Sequence, residues 1–287
     1  FEDHAMKYGL HLFATENSIQ PGEFASEAEA RGFESVWFSE HTHIPVAFLE
    51  AGAGERQLPD YYWQTYDPFI AATLAAAATE NIKIGTGVSL VLEHDPIALA
   101  KTVATVDQVS GGRFIFGVGP GWLAEEMANH GVQYAARYQM IAEYLSAIKA
   151  IWTEDEPEFE GNFLKFSKMK SLPKPVQVPH PPLIGGGGAG PRSLEMVAKH
   201  CGGWMPILGN LEWTGIKAGI AKLLSGEILP GLNQSAIEFS IFCWAPPDEV
   251  ITDDMQNHGV EKIIISLEAH PRDKAMELMD AYAQLID

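Results

Sequence analysis

The sequence predicts a (β/α)8 TIM barrel, and three observations carry that expectation. Eight short β-like runs recur along 287 residues, amphipathic helical stretches separate them, and glycine clusters follow several of the runs directly. Strands that alternate with helices pair in parallel through βαβ crossovers, and eight such units in a chain of this length favour closure over an open sheet.

The strands are expected at residues 7–13, 34–39, 82–88, 113–118, 182–185, 202–205, 238–244 and 262–266. The fourth is the clearest. In GGRFIFGVGPGW, residues 111–122, an apolar run too short for a helix empties into a loop where Gly117, Gly119 and Gly121 allow positive φ or close approach by a flat ligand. The helices carry start and stop signals. Proline opens the first at Pro21 and Gly32 follows its end; Asp95-Pro96 starts another, with Ile97, Ala100, Val103 and Ala104 on one face and Gly111-Gly112 beyond. The longest is expected over residues 135–152, where Tyr138, Ile141, Leu145, Ile148 and Trp152 recur three or four apart as core contacts. Two insertions interrupt the repeat. Residues 42–66 after strand 2 bring Tyr61, Tyr62, Trp63 and Tyr66, suited either to an apolar substrate pocket or to a subunit contact. Residues 154–182 before strand 5 contain an alternating hairpin pattern that turns at Gly161-Asn162.

Residues 1–5 are read as a remnant ahead of a natural start at Met6, and 6–287 as a single barrel domain. Nineteen basic against 38 acidic side chains give a formal charge of −19, which repels nucleic-acid phosphates and anionic lipid alike. No apolar run suggests a membrane span, and Cys201 and Cys243 fall in different units, so a cytoplasmic protein without a disulfide framework is expected.

Active sites of barrels lie where the strands end. Strand 2 ends in Ser39, Glu40, His41, Thr42 and His43, placing Glu40 and His41 where a general base and its neighbour would sit; a solvent-satisfied loop histidine is the alternative. His41 and His43 also invite a metal reading. Later strand ends offer only glycines, Met205-Pro206 and Ser266, so the ligand set is not completed and no metal is expected. Strand 3 ends in Gly85, Thr86, Gly87 and Val88, which suggests a bulge or support for a flat ligand. Strand 5 runs into Gly185, Gly186, Gly187 and Gly188 before a helix, a natural phosphate seat; Arg192 either adds a charge there or completes the helix surface.

Together SEHTHIP, IGTGV, SGGRFIFGVGPGWLAEE, RYQMIAEYLSAIKAIW and PKPVQVPHPPLIGGGG resemble the luciferase-like monooxygenase superfamily, and more closely its coenzyme F420-dependent oxidoreductase branch. The resemblance implies a flavin or deazaflavin ring at the strand ends, with its phosphate on the glycine-rich turns of strands 5 and 6. His41 matches the histidine that acts as base in F420-dependent sugar-phosphate dehydrogenases, and Glu40 stands where those enzymes have aspartate. Gly87-Val88 matches the superfamily's non-proline cis peptide bulge behind the ring, and Gly119 and Trp122 fall on the cofactor side. The sequence departs in two places. Trp122 stands where the dehydrogenases place a glutamate, with Glu125 and Glu126 a turn later, and Cys201-Gly202-Gly203-Trp204 lacks the aspartate common between those glycines.

The resemblance therefore implies hydride transfer between F420 and a small organic substrate in a homodimer. Two alternatives stand beside it: an FMN-dependent monooxygenase supplied by a separate reductase, and a non-catalytic flavin-binding barrel.

Overall fold

The computed structural model describes residues 5–50, 58–230 and 237–286. Residues 51–57 of the long connection lie outside this set, as do residues 1–4. Eight parallel strands close into a barrel: β1 Lys7–Leu12, β2 Ser35–Phe38, β3 Lys83–Thr86, β4 Phe114–Gly119, β5 Leu183–Gly186, β6 Gly203–Met205, β7 Glu238–Cys243 and β8 Val260–Ser266. Each pairs with the next, and β8 returns to β1 in register from Lys7 opposite Lys262 to His11 opposite Ser266.

The outer helices are α1 Pro21–Ala30, α2 Pro68–Ala77, α3 Pro96–Val109, α4 Arg137–Thr153, α5 Pro191–His200, α6 Trp213–Ser225, α7 Glu249–Asn257 and α8 Arg272–Ala283. Their ends follow the sequence signals. Asp95 caps α3 by accepting from the Ala98 amide, and Asp67 caps α2 by accepting from Phe69 and Ile70. Proline occupies the first turn of α1, α2, α3 and α5, where its missing N–H costs nothing. The second insertion contains the expected hairpin, Phe159–Glu160 against Lys165–Phe166.

One core lies between strands and helices, and a smaller one fills the barrel with Trp37, Ile115, Ile184, Met205, Phe242 and Ile264. Trp37 explains a glycine that the sequence associates with a ligand. A Cβ on Gly85 would lie 2.4 Å from the indole, so this position must be bare for the ring to lie across the barrel. Gly117 is bare for a neighbouring reason: its Cβ would meet the Thr86 carbonyl oxygen at 1.8 Å. Beneath the indole, Lys262 is 2% exposed and bridges Glu34 and Glu238, both at 3.1 Å. This ion cluster seals the amino-terminal end, and the open end is left for chemistry.

Candidate active site

A cavity of 1160 Å³ opens at the carboxyl ends of the strands. Its floor is Ser39, Gly87, Val88 and Gly186; its walls come from Phe13 after β1, Tyr61 and Tyr62 of the first insertion, Trp122 after β4, and Phe242 and Trp244 at the end of β7. The insertion is drawn over the barrel because the Tyr66 amide donates to the Ala14 carbonyl at 2.7 Å. Tyr61 and Tyr62 therefore face the cavity, Tyr66 packs against the core, and Trp63 is exposed outside.

His41 lines the cavity, and its Nδ1 lies 2.8 Å from Glu126 Oε2. Glu126 is buried in the short helix Ala124–Asn129, and its Oε1 accepts from the Thr42 amide at 3.0 Å. With Nδ1–H donating to the carboxylate, Nε2 keeps its lone pair. Gly121, at φ 79°, turns the chain so that this helix comes back over the β2 end and delivers Glu126.

Glu40 is engaged differently. Its Oε2 accepts from Ser89 Oγ at 2.8 Å and from the Leu90 amide at 2.6 Å, while Oε1 is 2.7 Å from His94 Nε2. This carboxylate straps down the segment after the Gly87-Val88 peptide, which is cis. Burial alone would lower the His94 pKa, but the Glu40 hydrogen bond and the charges of Glu40, Asp67 and Glu93 raise it.

A second support runs beneath the same bulge. Ser39 Oγ donates to the Gly87 carbonyl at 3.1 Å and so accepts from His11 Nε2 at 2.7 Å. On the other side of the ring, Ser266 Oγ accepts from the Glu268 amide at 3.0 Å and donates to His11 Nδ1 at 3.1 Å. Each hydroxyl proton is committed, so His11 sits neutral, and burial pushes its pKa down to about 3.

The candidate site residues named from sequence separate into two groups. Glu40, His41, Gly87, Val88, Trp122, Gly186 and Gly187 converge on the cavity. Gly119 instead lies behind Val88, its Cβ position 2.7 Å from that side chain, and Gly185 faces Val197 of α5. Gly188 and Arg192 are exposed beyond the cavity. The α5 N-terminus has no side-chain cap, and Ser193 in its first turn has a buried Oγ with no hydrogen-bond partner among the described residues. Gly187, at φ 130°, would place a Cβ 2.8 Å from that oxygen. Bare amides and an idle buried hydroxyl beside a helix N-terminus are suited to an anion such as a cofactor phosphate. The set fits a flavin-type group: a phosphate cradle at Gly187 and Ser193, an apolar shelf at Val88, and an aromatic wall.

Sequence reasoning passed over Glu126 and His11 as site residues. The signal for His11 was a lone imidazole inside the apolar run GLHLF. Glu126 was visible only as one of two adjacent acids, because burial of one and exposure of the other depends on the turn at Gly121.

A family model described as luciferase-like monooxygenase matches residues 17–281, and the chain belongs to that family. It is accordingly an enzyme, an oxidoreductase of the flavin and deazaflavin type, which sets aside the non-catalytic barrel. Among its relatives, an uncharacterised protein of Mycobacterium tuberculosis is 42% identical over 203 residues, covering 70% of this chain and 72% of the relative. The FMNH2-dependent dimethylsulfone monooxygenase of Pseudomonas putida is 35% identical, over 50% of this chain and 39% of that protein. The F420-dependent glucose-6-phosphate dehydrogenase of Amycolatopsis mediterranei is 30% identical, over 63% and 49%. A solved F420-dependent secondary alcohol dehydrogenase, in complex with an F420-acetone adduct, superposes with a TM-score of 0.73 at 19% identity, covering 98% of both chains. The monooxygenase RslO1 of Streptomyces bottropensis superposes at 0.76 with 20% identity, over 97% of this chain and 98% of that one. At these identities both likenesses show the shared fold. Among the described residues no helix is long and apolar enough to cross a membrane, and no group of three or more potential ligands is arranged to hold a metal ion.

Proposed function

We propose that this enzyme transfers hydride between coenzyme F420 and a small organic substrate, with His41 handling the accompanying proton. The observation that carries the proposal is the His41–Glu126 pair at the cavity wall, 2.8 Å apart, with His41 Nε2 free of Glu126. Bound in the cradle, the deazaflavin supplies a carbon centre that accepts or donates hydride. Gly187 and Ser193 would hold its phosphate, and Val88, backed by Gly186, strapped by Glu40 and propped by His11 through Ser39, would support its ring.

His41 Nε2 accepts the hydroxyl proton when an alcohol is oxidised, and returns a proton when a carbonyl or activated alkene is reduced. Glu126 fixes the tautomer and stabilises the imidazolium that forms. The aromatic walls exclude water from the reacting atoms, which strengthens that charge interaction. The substrate is a small molecule, and a second copy of the chain is the partner carried over from the family. The relative that uses FMNH2 supports a second reading, an oxygenase fed by a separate reductase.

The test is turnover with F420 across a panel of alcohols and enones, beside oxygen consumption with reduced FMN. The proposal predicts F420-linked turnover that falls about 100-fold in His41→Ala, and substantially in Glu126→Gln with a shifted pH profile. Oxygen uptake with FMN and none of the F420 reaction would overturn it in favour of the second reading.

A further inference from the structure

Glu268 is a half-buried carboxylate in the wall of the cavity, and nothing in the hydride-transfer scheme uses it. It is held there firmly. Its backbone is at φ 50°, the single non-glycine residue with positive φ among those described; its amide donates to Ser266 Oγ, and its carbonyl accepts from the Phe13 amide at 2.8 Å. These bonds fix the carboxylate beside a set of rings. Tyr61 OH donates to Glu268 Oε2 at 3.4 Å, and Phe13 lies 4.6 Å from Tyr61, 5.1 Å from Tyr62 and 6.3 Å from Trp244, centroid to centroid. Burial, then the Glu268 charge, pushes the Tyr61 phenol upward, so it remains a donor.

Among the described residues no lysine or arginine lines the cavity, and Glu268 makes no ion pair. A ligand that fills an aromatic-walled cavity strips water from this carboxylate, a loss that a neutral apolar ligand leaves uncompensated and an anionic one worsens. A protonated amine reverses the balance, because it offers Glu268 a charge-assisted hydrogen bond and offers the ring faces a cation. We propose that the substrate side of this cavity recognises an arylalkyl amine, its ammonium group seated between the Glu268 carboxylate and the half-buried rings of Tyr61 and Trp244, which Phe13 backs. The inference rests on the assignment of this cavity as the redox site, and it names a class of substrate for it.

Three probes with one ring and one chain length separate charge from shape: phenethylamine, 2-phenylethanol and phenylacetate, titrated calorimetrically into the purified protein at neutral pH and constant ionic strength. The expected order is amine, then alcohol, then acid, with about tenfold or more between the first and last. In Glu268→Gln, with folding checked by thermal unfolding, the amine and the alcohol should converge to within about twofold. Should that variant fail to fold, the order of the three probes on the unaltered protein decides alone. Equal or tighter binding of phenylacetate, no measurable binding of the amine at millimolar concentration, or an amine preference that survives Glu268→Gln would each overturn the inference. Titration of F420 into the same sample separates its failure from that of the hydride-transfer reading: amine preference without F420 binding would refute F420 as the cofactor and leave the amine site standing, whereas F420 binding without amine preference would overturn the amine site alone.

Discussion

Glu93 offers a test of the polar layer behind the site that needs neither cofactor nor substrate. It lies just after the strapped segment, its side chain is 1% exposed, and its Oε1 has no hydrogen-bond partner among the described residues. Burial first, then the charges of Glu126 and Glu40, raise its pKa from 4.5 to about 8, against smaller opposing contributions from Thr42 and His94. The native carboxyl thus keeps a proton that the unfolded chain has released. Between about pH 4.5 and 8 the native state binds the extra proton, so stability is greatest below the lower value and falls as pH rises through the window. At pH 7 the unfolded group is about 2.5 pH units past its own midpoint, and at about 1.4 kcal/mol per unit this is roughly 3.5 kcal/mol of lost stability. Water near the exposed Thr42 and His130 screens the repulsion, and about 2 kcal/mol is the expected remainder. Glu93→Gln mimics the protonated acid. Its stability should equal that of the unaltered protein at pH 4.5, within about 0.5 kcal/mol, and exceed it by about 2 kcal/mol at pH 7, a gain of several degrees in Tm. Thermal or urea unfolding at the two pH values reads this directly. A difference that does not change with pH would refute a protonated Glu93.

Three further outcomes follow from packing and the cradle. Gly117→Ala sets a methyl against the Thr86 carbonyl and must part β3 from β4, so a loss of about 3 kcal/mol is expected in urea unfolding; a loss below about 1 kcal/mol would contradict the barrel packing. Gly188→Ala, in open space with ordinary φ, should leave stability and cofactor affinity nearly unchanged, whereas Gly187→Ala meets both a positive φ and Ser193 Oγ and should weaken cofactor binding by about tenfold in a fluorescence titration. Ser193→Ala removes a buried hydroxyl with no partner among the described residues, so it should keep or slightly raise the stability of the free protein while lowering cofactor affinity; a destabilised protein with unchanged affinity would remove that hydroxyl from the cradle.

The barrel was legible because its information is local and periodic: each strand is a short apolar run, and each of several helices opens on a proline or an aspartate that the structure uses as written. The floor of the site was partly legible for the same reason, since Glu40, His41, Gly87 and Val88 follow strands directly. What escaped the sequence depends on direction in space. Four consecutive glycines look alike in the chain, yet Gly185 faces α5, Gly186 lines the cavity but backs onto Val88, Gly187 turns toward Ser193 at the cavity edge, and Gly188 faces solvent. Gly119 reads as ligand-facing and serves the side chain of Val88. Glu126 reaches His41 across 85 residues, through a turn that no periodicity announces.

The most direct measurement is a titration of the purified protein with F420 and, separately, with FMN, following intrinsic tryptophan fluorescence and repeated on Gly187→Ala. Hydride transfer through F420 requires preferential binding of F420, weakened in the variant. Preferential binding of FMN would contradict hydride transfer to F420 and favour oxygen chemistry, and binding of neither would contradict the assignment of the cavity as a cofactor site.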